Sequence, residues 1–455
     1  MSRPHILAVP FPAQGHVIPL LQLSLCLVKH GCRVTFVNTE YNHKRIIDAL
    51  QENDSMEDGI HLVSVPDGME PCEDRNDIGR LCDAMPKVMP RRLEELIEEI
   101  NKVEDENVTC VIADGNIGFP IEVAEKMNIK KAAFWPVAAA TLALFYNIPK
   151  MIDDGIIDSN GTPIKKQMVQ FAHSVPEMES SKFTWVNIDG GLAHKTIFSF
   201  ICRNTKAVKV ADTLICNSTY EFEPGAFNLI PNMLPIGPLL LSNQLQGNSK
   251  GSFWQEDSSC LDWLDQQQPN SVIYVAFGSI TVLDEIQFQE LAQGLELTNR
   301  PFLWVVRPDI IDDANEAFPE GFRDRVANRG QMVGWTPQQK VLRHPSIACF
   351  FSHCGWNSTL EGLSNGLPFL CWPYFADQFI DEGYICDIWQ VGLRFKRDES
   401  GIITREEIKT KIDQILGDEK FKARALKLKK AAMETVKEGG LSNKNLNNFI
   451  KWIKA

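Results

Sequence analysis

The feature that most constrains this chain is an alternation of short, wholly apolar runs with amphipathic stretches, which starts at the first residues and starts again past the midpoint. HILAVPF from His5 is followed by the helical pattern IPLLQLSLCLVKHG, closed by Gly31, and then by CRVTFVNT, a strand-helix-strand unit. Strands joined through a helix lie parallel, and parallel strands are covered on both faces, so they read as continuous apolar runs. HLVSVP, TCVIAD, KAAFWPV and TLICNS continue the series, separated by helix-like segments such as MPRRLEELIEEINKV. The longest apolar run, AAFWPVAAATLALFY from Ala132, is read as a strand and a buried helix, because Pro136 interrupts it and it falls short of the ~20 residues of a membrane span.

Residues 241–255, LSNQLQGNSKGSFWQ, are rich in Asn, Gln, Ser and Gly, as a surface linker should be. Beyond them SVIYVAFGS, PFLWVV, GQMVGW, IACFFSH, LPFLCWP and LRF restart the strand series, with DEIQFQELAQGLELTN among the helices between them. The expected fold class is α/β, with two doubly wound, Rossmann-like domains facing a cleft, the usual place for a ligand. The expected boundaries are a first domain over 1–240, the linker over 241–255, a second domain over 256–437, and a terminal helix over 438–455. That helix, capped by Ser442 after a Gly-Gly break, is expected to pack back on the first domain.

Charge narrows the partners. Lys and Arg total 46 against 59 Asp and Glu, a net −13, and no stretch concentrates base enough to follow a phosphate backbone, so nucleic acid is excluded as an expected partner. The twelve Cys include no C-x-x-C pair, which favours buried thiols in the cytoplasm over disulfides or zinc. The N-terminus is apolar but broken by Pro4, Pro10, Pro12 and Gly15, so no signal peptide is expected, and the sequons at Asn107, Asn160, Asn217 and Asn357 are chance matches. A monomer without a membrane span is expected.

The first strand is followed by PFPAQGH, which lacks the G-x-G-x-x-G that lets backbone approach a dinucleotide, so a nicotinamide oxidoreductase is disfavoured at its most diagnostic position. The loop places His16 at the C-terminal edge of the sheet, where an imidazole can take a proton from a hydroxyl near neutral pH. Asp114, ending TCVIAD, lies on the same edge and can orient that imidazole; its ordinary alternative is to cap the next helix. The pair is read as activating a substrate hydroxyl rather than a serine nucleophile of the protein. A silent binding protein on the same fold would lack such a base.

The stretch from Trp335 to Gln378, WTPQQKVLRHPSIACFFSHCGWNSTLEGLSNGLPFLCWPYFADQ, carries W-x-P-Q, H-P, H-C-G-W-N-S-x-x-E, G-x-P and W-P-x-x-x-D-Q in order. It resembles the secondary product glycosyltransferase box of plant family 1 UDP-dependent glycosyltransferases. FPAQGH, NSTYEFEP and CLDWLDQQQPNSVIYVAFGS extend the resemblance over the whole chain. The resemblance implies a GT-B fold and an inverting transfer, with glucose from UDP-glucose, to a hydroxyl of a small lipophilic acceptor such as a phenolic or terpenoid. Inversion implies a single in-line displacement without a protein nucleophile.

The residues support this independently. Trp335 offers a flat face to a pyrimidine and Gln338 an amide to its edge. His353, Gly355, Asn357 and Ser358 open a helix, whose N-terminus suits a diphosphate. Glu361 can accept from two ribose hydroxyls. The resemblance assigns Trp356, Asp377 and Gln378 to the donor sugar, Gln378 accompanying glucose, and Ser279 to a further phosphate contact. The plain alternatives are a core role for Trp335, a solvated carboxylate for Glu361 and a turn for Ser279. Phe11, Phe119, Phe134 and Phe145 are candidate acceptor walls, with core packing as the alternative. No cofactor is expected besides the UDP-sugar co-substrate. No metal is expected either, because no D-x-D occurs; the leaving diphosphate would rest on amides, His353 and the helix dipole.

Overall fold

The computed structural model describes residues 3–49, 58–103, 107–188, 193–242, 252–311 and 317–455. The chain forms two compact units. Unit 1 comprises Met1–Phe253, Phe375–Asp377 and Ala432–Ala455, and unit 2 comprises Trp254–Tyr374 and Gln378–Ala431. Most of the expected linker, 243–251, lies outside the described residues.

Unit 1 is built on a seven-stranded sheet. In chain order its first strands are β1 (His5–Val9), β2 (Arg33–Thr39), β3 (Ile60–Val65), β4 (Cys110–Asp114) and β5 (Lys130–Trp135). A separate antiparallel pair, β6 (Met168–Val169) and β7 (Met178–Glu179), precedes β8 (Thr213–Cys216) and β9 (Met233–Pro235). The order across the sheet is β3-β2-β1-β4-β5-β8-β9, and every neighbouring pair is parallel. The apolar runs become its buried centre: all five residues of β1 and of β4 are buried. The helix Ile78–Ile100 packs on them through Leu81, Met85, Met89, Leu93 and Ile97, each four residues from the last and therefore on one face. Its start is set by Asp77, whose carboxylate accepts from the Arg80 N–H at 2.9 Å. The strands β6, β7 and β9 have no counterpart in the sequence reading, being only two or three residues long, too short to show a period.

Unit 2 repeats the plan with β10 (Val272–Ala276), β11 (Phe302–Val305), β12 (Gly330–Val333), β13 (Ile347–Ser352), β14 (Phe369–Cys371) and β15 (Gly392–Arg394), in the parallel order β12-β11-β10-β13-β14-β15. The helix Glu285–Leu297 lays Phe288, Leu291 and Leu295 on one side of the core, and the helix Arg405–Gly417 contributes Ile408, Ile412 and Ile415. Phe288 is fully buried between Trp304 and Phe318, so truncating it to Ala should cost about 3–5 kcal/mol.

The last helix, Leu441–Lys454, belongs to unit 1, where Asn445 Nδ2 donates to the Pro235 carbonyl at 2.9 Å and Lys130 Nζ to that of Trp452 at 3.2 Å. Its cap differs from expectation. Gly440 is the capping residue and Ser442 sits buried inside the first turn, its N–H donating to Thr435 Oγ1 at 3.3 Å. Gly440 stands so close to the Thr435 carbonyl that an added Cβ would lie 2.3 Å from it, which leaves the cap position to glycine. Among the described residues, no helix is long and apolar enough to cross a membrane.

Candidate functional site

In each sheet the strand order reverses beside its first strand, and ligands of open α/β sheets bind outside the strand ends at such a reversal. In unit 1 the reversal falls between β1 and β4, with Val9 opposite Ala113. The segments leaving these two strands carry His16 and Asp114. In unit 2 it falls between β10 and β13, with Ala276 opposite Ser352, and the segments leaving them carry Ser279 and His353.

His16 lies in the first turn of the helix Gln14–Lys29, which begins four residues before the apolar pattern does. Extended Ala13 caps it, and its carbonyl accepts the N–H groups of His16 and Val17, both at 2.9 Å. The expected loop position is thus a helical one, which fixes the backbone under the imidazole. His16 Nδ1 donates to Asp114 Oδ2 at 2.7 Å, with the carboxylate fully buried and the imidazole 19% exposed. A carboxylate can only accept, so the proton is on Nδ1 and Nε2 carries the lone pair. Asp114 is itself held: Asn116 donates to Oδ1 from its backbone at 2.8 Å and from Nδ2 at 3.1 Å, and the Phe11 N–H reaches Oδ2 at 3.4 Å. Burial pulls the His16 pKa down, but the charge and hydrogen bond of Asp114 outweigh it, helped by Asp377, and the net shift is upward from 6.5. Asp377 sits in the short segment that joins unit 1, and burial raises its own pKa while His16 opposes that.

Of the four Phe candidates, Phe11 meets the His16 ring at 5.1 Å between centroids. Phe119 and Phe134 are buried to 1% and 0% exposure, leaving almost no surface for an acceptor, and Phe145 at 4% packs on Trp135 and Trp185.

In unit 2, β13 ends at Ser352 and the helix Trp356–Asn365 begins after Gly355, so His353, Cys354 and Gly355 form the turn at its positive end. Cys354 has φ +70°, a left-handed conformation that a side chain adopts only at a cost, of the kind found where a backbone is bent for a purpose. Gly278 and Gly355 both close on His353: a Cβ on either would lie 2.6 or 2.5 Å from its Nε2. Glycine is required at both for the ring to sit between them. Burial and then the charge of Arg307 push the His353 pKa down to about 4, the Ala276 backbone opposing them, so the ring is a neutral dipole at pH 7.

Glu361 lies in the second turn of the same helix. Gln338, first residue of the helix Gln338–Arg343, donates from Nε2 to Glu361 Oε2 at 2.6 Å and to Ser358 Oγ at 3.0 Å, and accepts from the Tyr274 hydroxyl at 3.0 Å. Tyr274 also meets Thr336 Oγ1 at 2.7 Å. The Gln338 amide is therefore engaged at both ends, ordering Ser358 and Glu361. Burial lifts the Glu361 pKa to about 7, against the hydrogen bonds of Gln338 and Gln339. Trp335, half-buried, stacks on Trp254 at 6.1 Å and 28°. Trp356 is buried, with its ring 6.3 Å from Trp389, and Asn357 is half-buried. Buried Gln378 accepts the Tyr374 N–H on Oε1 at 2.7 Å.

Arg307, Asn116, Tyr274 and Thr336 were not singled out by sequence reasoning. Arg307 in WVVRP has no motif to mark it, Asn116 acts on Asp114 only two residues away but carries no motif either, and Tyr274 and Thr336 meet across 62 residues of sequence. Among the described residues no group of three or more His, Cys, Asp and Glu is disposed to hold a metal ion.

Two parallel doubly wound units, a histidine held by a buried carboxylate on one and a histidine-led helix start on the other, are the arrangement of a nucleotide-sugar transferase of the GT-B class. Residues 192–435 match the family described as UDP-glucoronosyl and UDP-glucosyl transferase. The chain is 47% identical over 464 residues to UDP-glycosyltransferase 83A1 of Arabidopsis thaliana, covering 100% of this chain and 98% of that one. A solved UDP-glucosyltransferase from Polygonum tinctorium capable of glucosylating indoxyl is similar with a TM-score of 0.84 at 27% identity, covering 100% of this chain and 99% of that one. Os79 from O. sativa, solved in complex with UDP, gives 0.82 at 26%, covering 98% and 100%. The chain belongs to the plant family 1 UDP-glycosyltransferases. It is a hexosyltransferase that uses a UDP-sugar donor, and its sheets of seven and six parallel strands are those of the GT-B fold.

Proposed function

We propose that this enzyme transfers glucose from UDP-glucose, with inversion and without a metal ion, to a hydroxyl of a small lipophilic acceptor of phenolic or terpenoid type. The observation that carries the reading is the 2.7 Å bond from His16 Nδ1 to Asp114, which leaves Nε2 as the proton acceptor. His16 Nε2 takes the acceptor hydroxyl proton; the oxygen forms its bond to the anomeric carbon as the bond from that carbon to the UDP oxygen breaks. Asp114 stabilises the resulting imidazolium. Unit 2 supplies the donor groups: Trp335 for uracil, Glu361 for ribose, and His353, Gly355, Asn357, Ser358 and Ser279 for the diphosphate. Trp356, Asp377 and Gln378 serve the sugar. Of the Phe candidates, Phe11 suits an acceptor wall because it already touches the base.

Glucose is favoured because Gln378 and Asp377 can match the direction of one 4-hydroxyl, and the wrong epimer leaves a bond unmade at a cost of about 1–3 kcal/mol. The acceptor class follows the indoxyl named for the Polygonum enzyme. All twelve thiols are free, which fits the cytoplasm.

The test is incubation with equal UDP-glucose and UDP-galactose and a panel of phenols and terpenoid alcohols, with product mass, sugar identity and anomeric configuration read out. A β-glucoside is expected. A retained configuration, or a preference for galactose, overturns the corresponding part of the reading.

A further inference from the structure

Among the buried charged residues of unit 2 that the reaction as described leaves unused is Arg307. Arg307 stands two residues past β11, the strand beside β10, and its side chain is 1% exposed. Its Nη1 donates to the Gly278 carbonyl, Nη2 to the Thr281 carbonyl at 2.8 Å, and Nε to Asp309 Oδ1 at 2.8 Å. Asp309 is 44% exposed, so water shares its charge. Burying a guanidinium is expensive, and the fork is spent here on the two ends of one short segment, the turn that carries Ser279.

The geometry has a direct consequence for that turn. A trans peptide sets its C=O and the next N–H on opposite sides. With the Gly278 carbonyl taken by Arg307, the Ser279 N–H points away from the guanidinium. Gly278 itself has φ +70° and lies against His353 Nε2, so the segment that Arg307 clamps is the wall on which the imidazole rests.

We infer that Arg307 is a positioning residue of the donor site: it turns the Ser279 amide toward the diphosphate of the donor and, through the Gly278 and His353 wall, opposes the negative charge that develops on departing UDP. The inference rests on the reading of unit 2 as the donor site. It gives a metal-free transferase a fixed positive charge that never touches the substrate. It also adds to the burial that keeps His353 neutral, since the Arg307 charge disfavours a proton on the ring while the Ala276 backbone from β10 opposes both.

The test measures UDP affinity by titration calorimetry from pH 5.5 to 8.5, together with kcat for glucoside formation, in the full-length wild type and in R307Q, R307K, D309N and H353A. R307Q, which loses the charge, should weaken UDP about 10-fold and lower kcat by a similar factor. R307K keeps the charge and should retain the wild-type pH profile with an intermediate loss. D309N unmasks the guanidinium and should tighten UDP about 2-fold, with a steeper salt dependence.

A folded R307Q with wild-type UDP affinity and kcat overturns the inference. So does a loss that R307K does not relieve, which marks a merely structural role. If R307Q does not fold, an unchanged UDP affinity in D309N overturns it instead. H353A separates the two readings: if it binds UDP as wild type does, the donor-site assignment itself fails. If H353A is weakened and R307Q is not, only the role of Arg307 fails.

Discussion

Replacing Asp114 with Asn exchanges one oxygen for an NH2, and the bonds around it dictate which one. Oδ1 accepts twice from Asn116, at 2.8 and 3.1 Å, while Oδ2 faces His16 Nδ1. An Asn amide placed here keeps its oxygen toward the two Asn116 donors and turns its NH2 toward His16. Nδ1 must then accept, which moves the ring proton to Nε2, the atom that should take the proton of the acceptor. The opposite flip sets the NH2 against both Asn116 donors. At about 1–3 kcal/mol for each buried group left unpaired, the wrong tautomer prevails by about 2–6 kcal/mol. With 1.36 kcal/mol per factor of ten, D114N should lower kcat roughly 30- to 10⁴-fold. D114A leaves the tautomer free and should fall less than D114N. The assay is glucoside formation from UDP-glucose with the best acceptor of the panel, with UDP affinity as control, since the groups proposed to hold UDP belong to unit 2. The pH profile is a second readout. The base must be neutral, so wild-type kcat/KM should rise with pH through a value above 6.5, the direction in which Asp114 shifts His16. D114N at wild-type activity, or D114N more active than D114A, would refute the tautomer argument.

Three further outcomes are expected. Trp335→Ala should weaken UDP by about 1–1.5 kcal/mol through lost stacking; an unchanged calorimetric Kd would place the ring in the core pair with Trp254 alone. Glu361 accepts from ribose on both oxygens, and more strongly, when ionised, and burial lifts its pKa to about 7, so UDP affinity should climb as pH rises through 7. That step should vanish in E361Q, and its persistence there would assign it to another group. Activity should survive excess EDTA, and loss of glucoside formation restored by magnesium would require a metal in the diphosphate step.

Much of this protein was determined by its sequence alone. Strands buried on both faces have to be apolar throughout, and helices packed on one side carry an i, i+4 stripe, so the two parallel sheets are written in local patterns such as HILAV and Leu81 to Ile97. The box from Trp335 to Gln378 is legible for a similar reason: a turn, a helix start and the groups they present are contiguous in the chain. What contiguous sequence cannot hold is a contact between segments far apart. Asp114 lies 98 residues from His16, and only the order β1-β4 in the sheet makes them neighbours and sets the bond at 2.7 Å. The engagement of Gln338 by Tyr274, Ser358 and Glu361, and the clamp of Arg307 on residues 278 to 281, arise in the same way. The pKa shifts follow suit, because burial and the field of a distant charge exist only once the chain is folded. Glu361 at about 7 and His353 at about 4 are an ordinary glutamate and histidine in sequence, and tertiary structure alone separates one from its water and sets the other beside a guanidinium.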